Sequence, residues 1–140
     1  MIEVRPSEPS DADRLLQIWR SAVDSSHDFL TRSDRDEIHP QVADYVATAP
    51  LLVAVRDGEP VAFMGVTGQH IDSLFVDPAA HGSGVGRLLT ETVGTPATVD
   101  VNEQNQRAVS FYRYLGFEVT GRSQMDDQGR PYPLLHMRRD

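Results

Sequence analysis

The chain has 140 residues, a formal net charge of −8, 39% hydrophobic and 24% charged residues, and no cysteine. That length suits one domain, 1–140, with a core of its own, and the lack of cysteine excludes disulfides, thiolate metal sites and a cysteinyl acyl intermediate. The 13 basic residues, all arginine, are scattered among 21 acids, so no nucleic-acid surface is expected, and the absence of a long apolar run or a basic-then-apolar leader predicts no membrane contact and a cytoplasmic location.

Taken in order, Met1 to Arg5 alternates as a first strand that Pro6 should end, and Ser10 reads as an N-cap with Asp11 and Asp13 in the first helical turn. Leu15, Leu16, Ile18, Trp19, Ala22 and Val23 then recur at helical spacing. After the polar stretch Asp24 to Leu30, a second helix is expected from about Ser33 to Val46, with Pro40 a point where it breaks in two. Leu51 to Arg56 and Pro60 to Thr67 flank Asp57-Gly58, a strong hairpin signal. Gly68 leads into a strand from His70 to Val76, on which His70, Asp72, Leu74 and Val76 share one face and Ile71, Ser73 and Phe75 the other.

The run from Asp77 to Leu89 reads as a glycine-rich turn opening a short helix. Gly82, Gly84 and Gly86 permit positive φ and close approach of backbone amides to an anion, as at other helix starts that hold phosphate. The spacing fits neither a dinucleotide fingerprint nor a P-loop, which would need a lysine. Ala97 to Asn102 is the next strand, Asn105 to Leu115 a helix stopped by Gly116, and Glu118 to Gly121 and Leu134 to Met137 the last strands, around a turn at Asp126 to Gly129.

Two motifs in this order carry a resemblance. His81-x-x-Gly84-x-Gly86 resembles the acetyl-CoA motif Gln/Arg-x-x-Gly-x-Gly/Ala of the GNAT N-acetyltransferases, and Asn105-x-x-Ala108-x-x-Phe111-Tyr112-x-x-x-Gly116-Phe117 is similar to that superfamily's second CoA segment. Segments 26–30, 68–70, 101–105 and 131–135 resemble its small bacterial YjaB-type branch. The resemblance implies an α/β (α+β) fold: a mixed, mostly antiparallel sheet of about seven strands, its fourth and fifth strands splayed, with about four helices. It implies acetyl-CoA as co-substrate and no metal. Gly82, Ser83, Gly84, Val85, Gly86 and Arg87 would hold the pyrophosphate, Leu74, Phe75 and Val76 the pantetheine, and Asn105 and Tyr112 would complete the cofactor site. The Leu74 amide would stabilise the oxyanion. His81 departs from the usual Gln or Arg, which implies a lower or pH-dependent CoA affinity.

Transfer to an amine needs a neutral nucleophile and a proton for the leaving thiolate. By its motif position Tyr112 is the candidate acid. His70, four residues before Leu74, is the candidate base, with Asp72 either acting directly or orienting it. His27, Asp28, Phe29 and Asp72 are candidate acceptor-binding residues, and the acceptor is a small-molecule or protein amine. A metal site built from His27, His70 and His81 lacks close ligand spacing. Two other readings stay open, a CoA-binding sensor without catalysis and either a monomer or a homodimer.

Overall fold

The computed structural model describes residues 2–26 and 31–140. Among them are β1 (Ile2–Pro6), α1 (Ala12–Ser26), α2 (Arg32–Thr48), β2 (Leu51–Arg56), β3 (Glu59–Thr67) and β4 (His70–Val76). There follow α3 (Val85–Glu91), β5 (Ala97–Asn102), α4 (Gln106–Tyr114), β6 (Glu118–Ser123) and β7 (Leu134–Arg139). The strands pair in the order β1-β2-β3-β4-β5-β7-β6, and β4 with β5 is parallel while β1–β2, β2–β3, β5–β7 and β6–β7 are antiparallel. This is the expected mixed, mostly antiparallel sheet with four helices.

The chain forms two compact units, Met1–Gly65 with Ser73–Thr92, and Val66–Asp72 with Val93–Asp140. In the first, α1 and α2 bury Leu15, Ile18, Trp19, Val23 and Val46 against Leu51, Val53, Val55 and Phe63 of the sheet. Phe75 adds a tilted ring contact with Phe63, centroids 5.5 Å apart. Burial of these apolar side chains, each worth about 1.5–3 kcal/mol, is the main force holding the layers together. In the second unit Ile71, Ala97, Val99, Val101, Tyr112, Phe117, Tyr132 and Met137 are buried. The Phe117 ring there lies under the Arg139 guanidinium, 4.9 Å from its centroid.

Local chemistry explains where most elements begin and end. Asp57 and Gly58 have φ of 54° and 79°, the paired positive values of a type I′ hairpin turn. Pro6 is the last residue of β1, paired with Leu52, and ends the strand as expected; β1 is an edge strand, where one missing N–H is tolerated. Two features differ from the sequence expectation. Ser10 is not an N-cap: a 3-10 turn starts at Pro9 after Glu8, whose N–H is accepted by Asp11 at 2.8 Å. Asp11 is also forked by Arg5 at 2.8 and 2.9 Å, and these hydrogen bonds hold its carboxyl below the usual value.

The second difference is α2, which runs unbroken through Pro40. Pro40 forfeits only the hydrogen bond to Asp36, and Ile38, Val42 and Tyr45 on either side of it pack on the core. Packing outweighs the local penalty.

Gly65 in β3 is the tightest of these packing positions. A Cβ there would collide with Tyr45 Oη and sit 2.9 Å from Ser73 Oγ and 3.1 Å from Leu51 Cδ2. We expect Gly65→Ala to cost about 1–3 kcal/mol, read as a melting temperature lowered by several degrees. Tyr45→Phe, which removes the colliding oxygen, should recover part of the loss in the double variant; purely additive losses would refute this account.

Candidate active site

The glycine turn lies in the first unit and is built from its anchor outward. Asp77 follows β4 and opens a 3-10 turn, Pro78–Ala80, by accepting the Ala79 N–H at 3.0 Å. Its other oxygen takes Arg14 Nη2 of α1 at 2.8 Å, while Arg14 Nε donates to Pro60 O at 2.9 Å. Arg14 thereby ties α1 and β3 to the start of the turn. Gly82 and Gly84 have φ of 79° and 82°, with nothing within 4 Å of a Cβ built on either. An L side chain is strained at that φ, so glycine answers a backbone requirement there. Gly86 differs from its expected role, being helical and buried within α3.

The first hydrogen bond of α3 runs from Leu88 N–H to Gly84 O at 3.0 Å. The amides of Val85, Gly86 and Arg87 come before it and have no acceptor within the helix. Together with the exposed, unobstructed Gly82 and Gly84, they form a backbone cradle whose residues fit a pyrophosphate. The side chains there are otherwise engaged: Ser83 Oγ donates to Ala80 O at 2.5 Å, and Arg87 pairs with Glu91 at 3.0 Å. Leu74, Phe75 and Val76 lie at the end of β4, all partly buried.

In the second unit, Asn105 is buried and its side-chain oxygen accepts the Ala108 N–H at 3.1 Å, capping α4. One turn further on, Tyr112 is buried between aromatic neighbours, its ring edge-on to Phe111 at 5.1 Å and to Phe117 at 5.3 Å. Burial pushes its phenol well above the ordinary value, which keeps it neutral.

His70 starts β4, in the same unit, where it is the register partner of Thr98 on the parallel β5. Its Nδ1 lies 2.8 Å from Thr98 Oγ1, and its Nε2 is 3.7 Å from Asp100 Oδ2. Asp100 Oδ1 in turn meets His136 Nδ1 at 2.6 Å, and His136 Nε2 meets Ser123 Oγ at 2.7 Å. The carboxylate paired with His70 is therefore Asp100. Asp72, the expected orienting group, instead accepts the Thr67 hydroxyl at 2.6 Å. Both aspartates and His70 line a cavity of about 350 Å³ together with Ile71, Asp126, Asp127, Gln128 and Leu134. The lining carries four carboxylates and no arginine, an environment that favours a cation.

Of the expected site residues, the structure gathers Gly82 to Arg87 into the cradle and brings His70 and Asp72 to one cavity. His27, Asp28 and Phe29 lie outside the described residues. Sequence reasoning missed Thr98, Asp100, Ser123 and His136; the local signal was the alternation of Thr98 and Asp100 with Ala97, Val99 and Val101 on β5, and β6 and β7 carried none as clear. Among the described residues no group of three or more His, Asp or Glu is placed to hold a metal, and no helix is long and apolar enough to cross a membrane.

The family described as acetyltransferase (GNAT) domain matches residues 24–138. The chain is similar to the peptidyl-lysine N-acetyltransferase YjaB of Salmonella typhimurium, 49% identical over 141 aligned positions covering 98% of this chain and 97% of the relative. It is 46% identical to YjaB of Escherichia coli, over 98% of this chain and 96% of that protein. The solution structure of the apo form of the Escherichia coli protein superimposes with a TM-score of 0.95, covering 99% of this chain and 97% of that one.

Asp77 gives the turn a pH dependence of defined sign. Burial pushes its carboxyl up, but the Ala79 amide, Arg14 and the nearby His81 pull it down further, and the net value is lowered. A carboxyl whose folded value lies below its unfolded value of about 3.9 stabilises fully above that pH, and the contribution is lost as pH falls through the folded value. We expect Asp77→Asn to cost about 1–2 kcal/mol in denaturant unfolding near neutrality, with the gap to the parent closing below about pH 4. A gap that stays constant into acid would remove the ion pair as its cause.

Proposed function

The chain belongs to the GNAT acetyltransferase family, and from that premise we propose that it transfers acetyl from acetyl-CoA directly to a basic primary amine, with peptidyl lysine the leading acceptor class. The observation that carries the acceptor assignment is the cavity on β4 and β5, where His70 stands among four carboxylates with no arginine in the lining. An ammonium is attracted to such a site, and a histidine inside it is placed to take the proton that must leave before the amine can attack. The two YjaB relatives are named as peptidyl-lysine N-acetyltransferases, which supports lysine over an uncharged acceptor.

For the cofactor, the amides from Gly82 to Arg87 bind the pyrophosphate, and the end of β4, Leu74 to Val76, takes the pantetheine with the Leu74 amide polarising the acetyl carbonyl. Acetyl-CoA supplies the activated acetyl group and leaves as the thiol. Asn105 acts through its cap: its side-chain oxygen is committed to the Ala108 amide, so it fixes the start of the helix that carries Tyr112. Burial keeps Tyr112 protonated, and because it pushes up a phenol that already lies above an ordinary thiol, Tyr112 serves the departing thiolate as a hydrogen-bond donor first and a proton source second.

Incubation with acetyl-CoA and a panel of lysine peptides, polyamines, amino acids and aminoglycosides, followed by free thiol and acetyl mass shift, tests this reading. Release of thiol with an amine supports it; no release above background and no CoA binding by calorimetry overturns it. Binding of CoA without transfer to any amine would instead favour a sensor.

Two variants test the roles. Tyr112→Phe should lower kcat by roughly 10²- to 10⁴-fold with little change in CoA affinity, and unchanged turnover would remove the acid role. His70→Ala should abolish the acidic limb of the pH–rate profile, and its persistence would point to another base.

A further inference from the structure

We propose that Asp100 seats the acceptor's ammonium against His70, and that His136 and Ser123 are positioning residues that hold its carboxylate in place; this rests on the acetyltransferase reading above. None of these three residues belongs to either of the CoA motifs that carry the family resemblance.

The separation of His70 Nε2 from Asp100 Oδ2, 3.7 Å, is the first ground. It is longer than a direct N–H···O hydrogen bond of roughly 2.7–3.2 Å. The 2.8 Å contact of Nδ1 with Thr98 Oγ1 admits either direction of donation; in the tautomer whose Nδ1–H donates, Nε2 carries a lone pair and faces a carboxylate oxygen, acceptor to acceptor. Two such acceptors are reconciled by one group with several donors. A nitrogen roughly 2.9 Å from both closes a triangle with about 80° at the donor, which a primary ammonium with its three N–H bonds can occupy. A hydroxyl or a secondary amide has a single donor and satisfies only one side. The proton nearest His70 then passes to Nε2, and the amine is left neutral beside the carboxylate.

The second ground is the way Asp100 is held. Asp100 and His136 are direct register partners on β5 and β7, so their side chains project from the same face. His136 takes Oδ1 at 2.6 Å and is itself held by Ser123 at 2.7 Å, which leaves Oδ2 turned toward His70. Gly121 stands opposite His136 on β6, and a Cβ there would approach His136 Cδ2 to 3.4 Å. Ser123, His136 and Asp100 thus follow the hydrogen-bond order of a hydrolase triad, yet the carboxylate ends on a second histidine. We assign the array to orienting a carboxylate rather than to activating the serine. The apolar Ile71 and Leu134 in the cavity lining suit the alkyl stem of a lysine-like amine.

The test is steady-state kinetics at saturating acetyl-CoA, with an Nα-blocked lysine peptide as acceptor and its Nε-acetylated form as product inhibitor. The acetylated side chain is neutral and the free one is charged, so only the latter should feel Asp100. In Asp100→Asn the peptide KM should rise about tenfold or more, while the Ki of the acetylated peptide and the KM of acetyl-CoA stay within about twofold. Ser123→Ala and His136→Ala should give the same split at smaller size, and His136→Ala should add little when combined with Asp100→Asn. Equal losses for charged and neutral peptides, or no loss for either, overturn the inference while leaving the acetyltransferase reading standing. Transfer by the parent chain to no amine ends that reading and the inference with it.

Discussion

The hydroxyl of Ser73 lies 3.1 Å from the Gly65 amide and 2.8 Å from Tyr45 Oη, in the middle of the strand that carries both His70 and Leu74. It is the polar joint between β3, β4 and α2, in a region otherwise held by apolar packing. Gly65 makes the joint possible, because only a residue without a side chain lets Tyr45 and Ser73 come so near that backbone. From this point toward the C-terminus the strand leads to Asp77 and the glycine cradle, anchored by Arg14. Toward the N-terminus it leads to His70, whose partners are supplied by β5. One short strand therefore reaches both the glycine turn and the His70 cavity through two separate sets of anchors, and a slip of one residue would turn His70 and Leu74 to the opposite face.

Backbone chemistry that is local was legible in the sequence. Asp57-Gly58 announced its hairpin because positive φ at two consecutive positions is a demand that few dipeptides meet. Gly82 and Gly84 announced the cradle for the same reason. Gly86, two residues on, looked identical on paper and proved to be a buried helical position, since spacing alone does not distinguish a glycine needed for its φ from one needed for its size. Pro40 misled in the opposite direction. A rule about isolated helices predicted a break, and the apolar contacts made by Ile38, Val42 and Tyr45 overrode it.

The side-chain network around Asp100 was not legible, and the reason is geometric. Alternation along β5 put Thr98 and Asp100 on its polar face, and the same pattern in β7 put His136 on a face with no apparent purpose. What joins them is register between strands far apart in sequence: His70 with Thr98, Asp100 with His136. Register is fixed by packing and by loop geometry across the whole sheet, and no single strand encodes it. Asp72 was the natural choice of partner because it lies two residues from His70, but it turned out to bond Thr67 across the Gly68 turn.

His81, the residue that fits its motif least well, precedes a turn shaped by backbone conformation: the cradle is made of backbone amides and of glycines with open space around them. His81 lies close enough to Asp77 to add to the pull that the Ala79 amide and Arg14 exert on that carboxyl. The array around Asp100 has the opposite character, since it depends on the placement of a few side chains drawn from β4, β5, β6 and β7. The cradle is set by the conformation of one turn, and the array by the register of four strands.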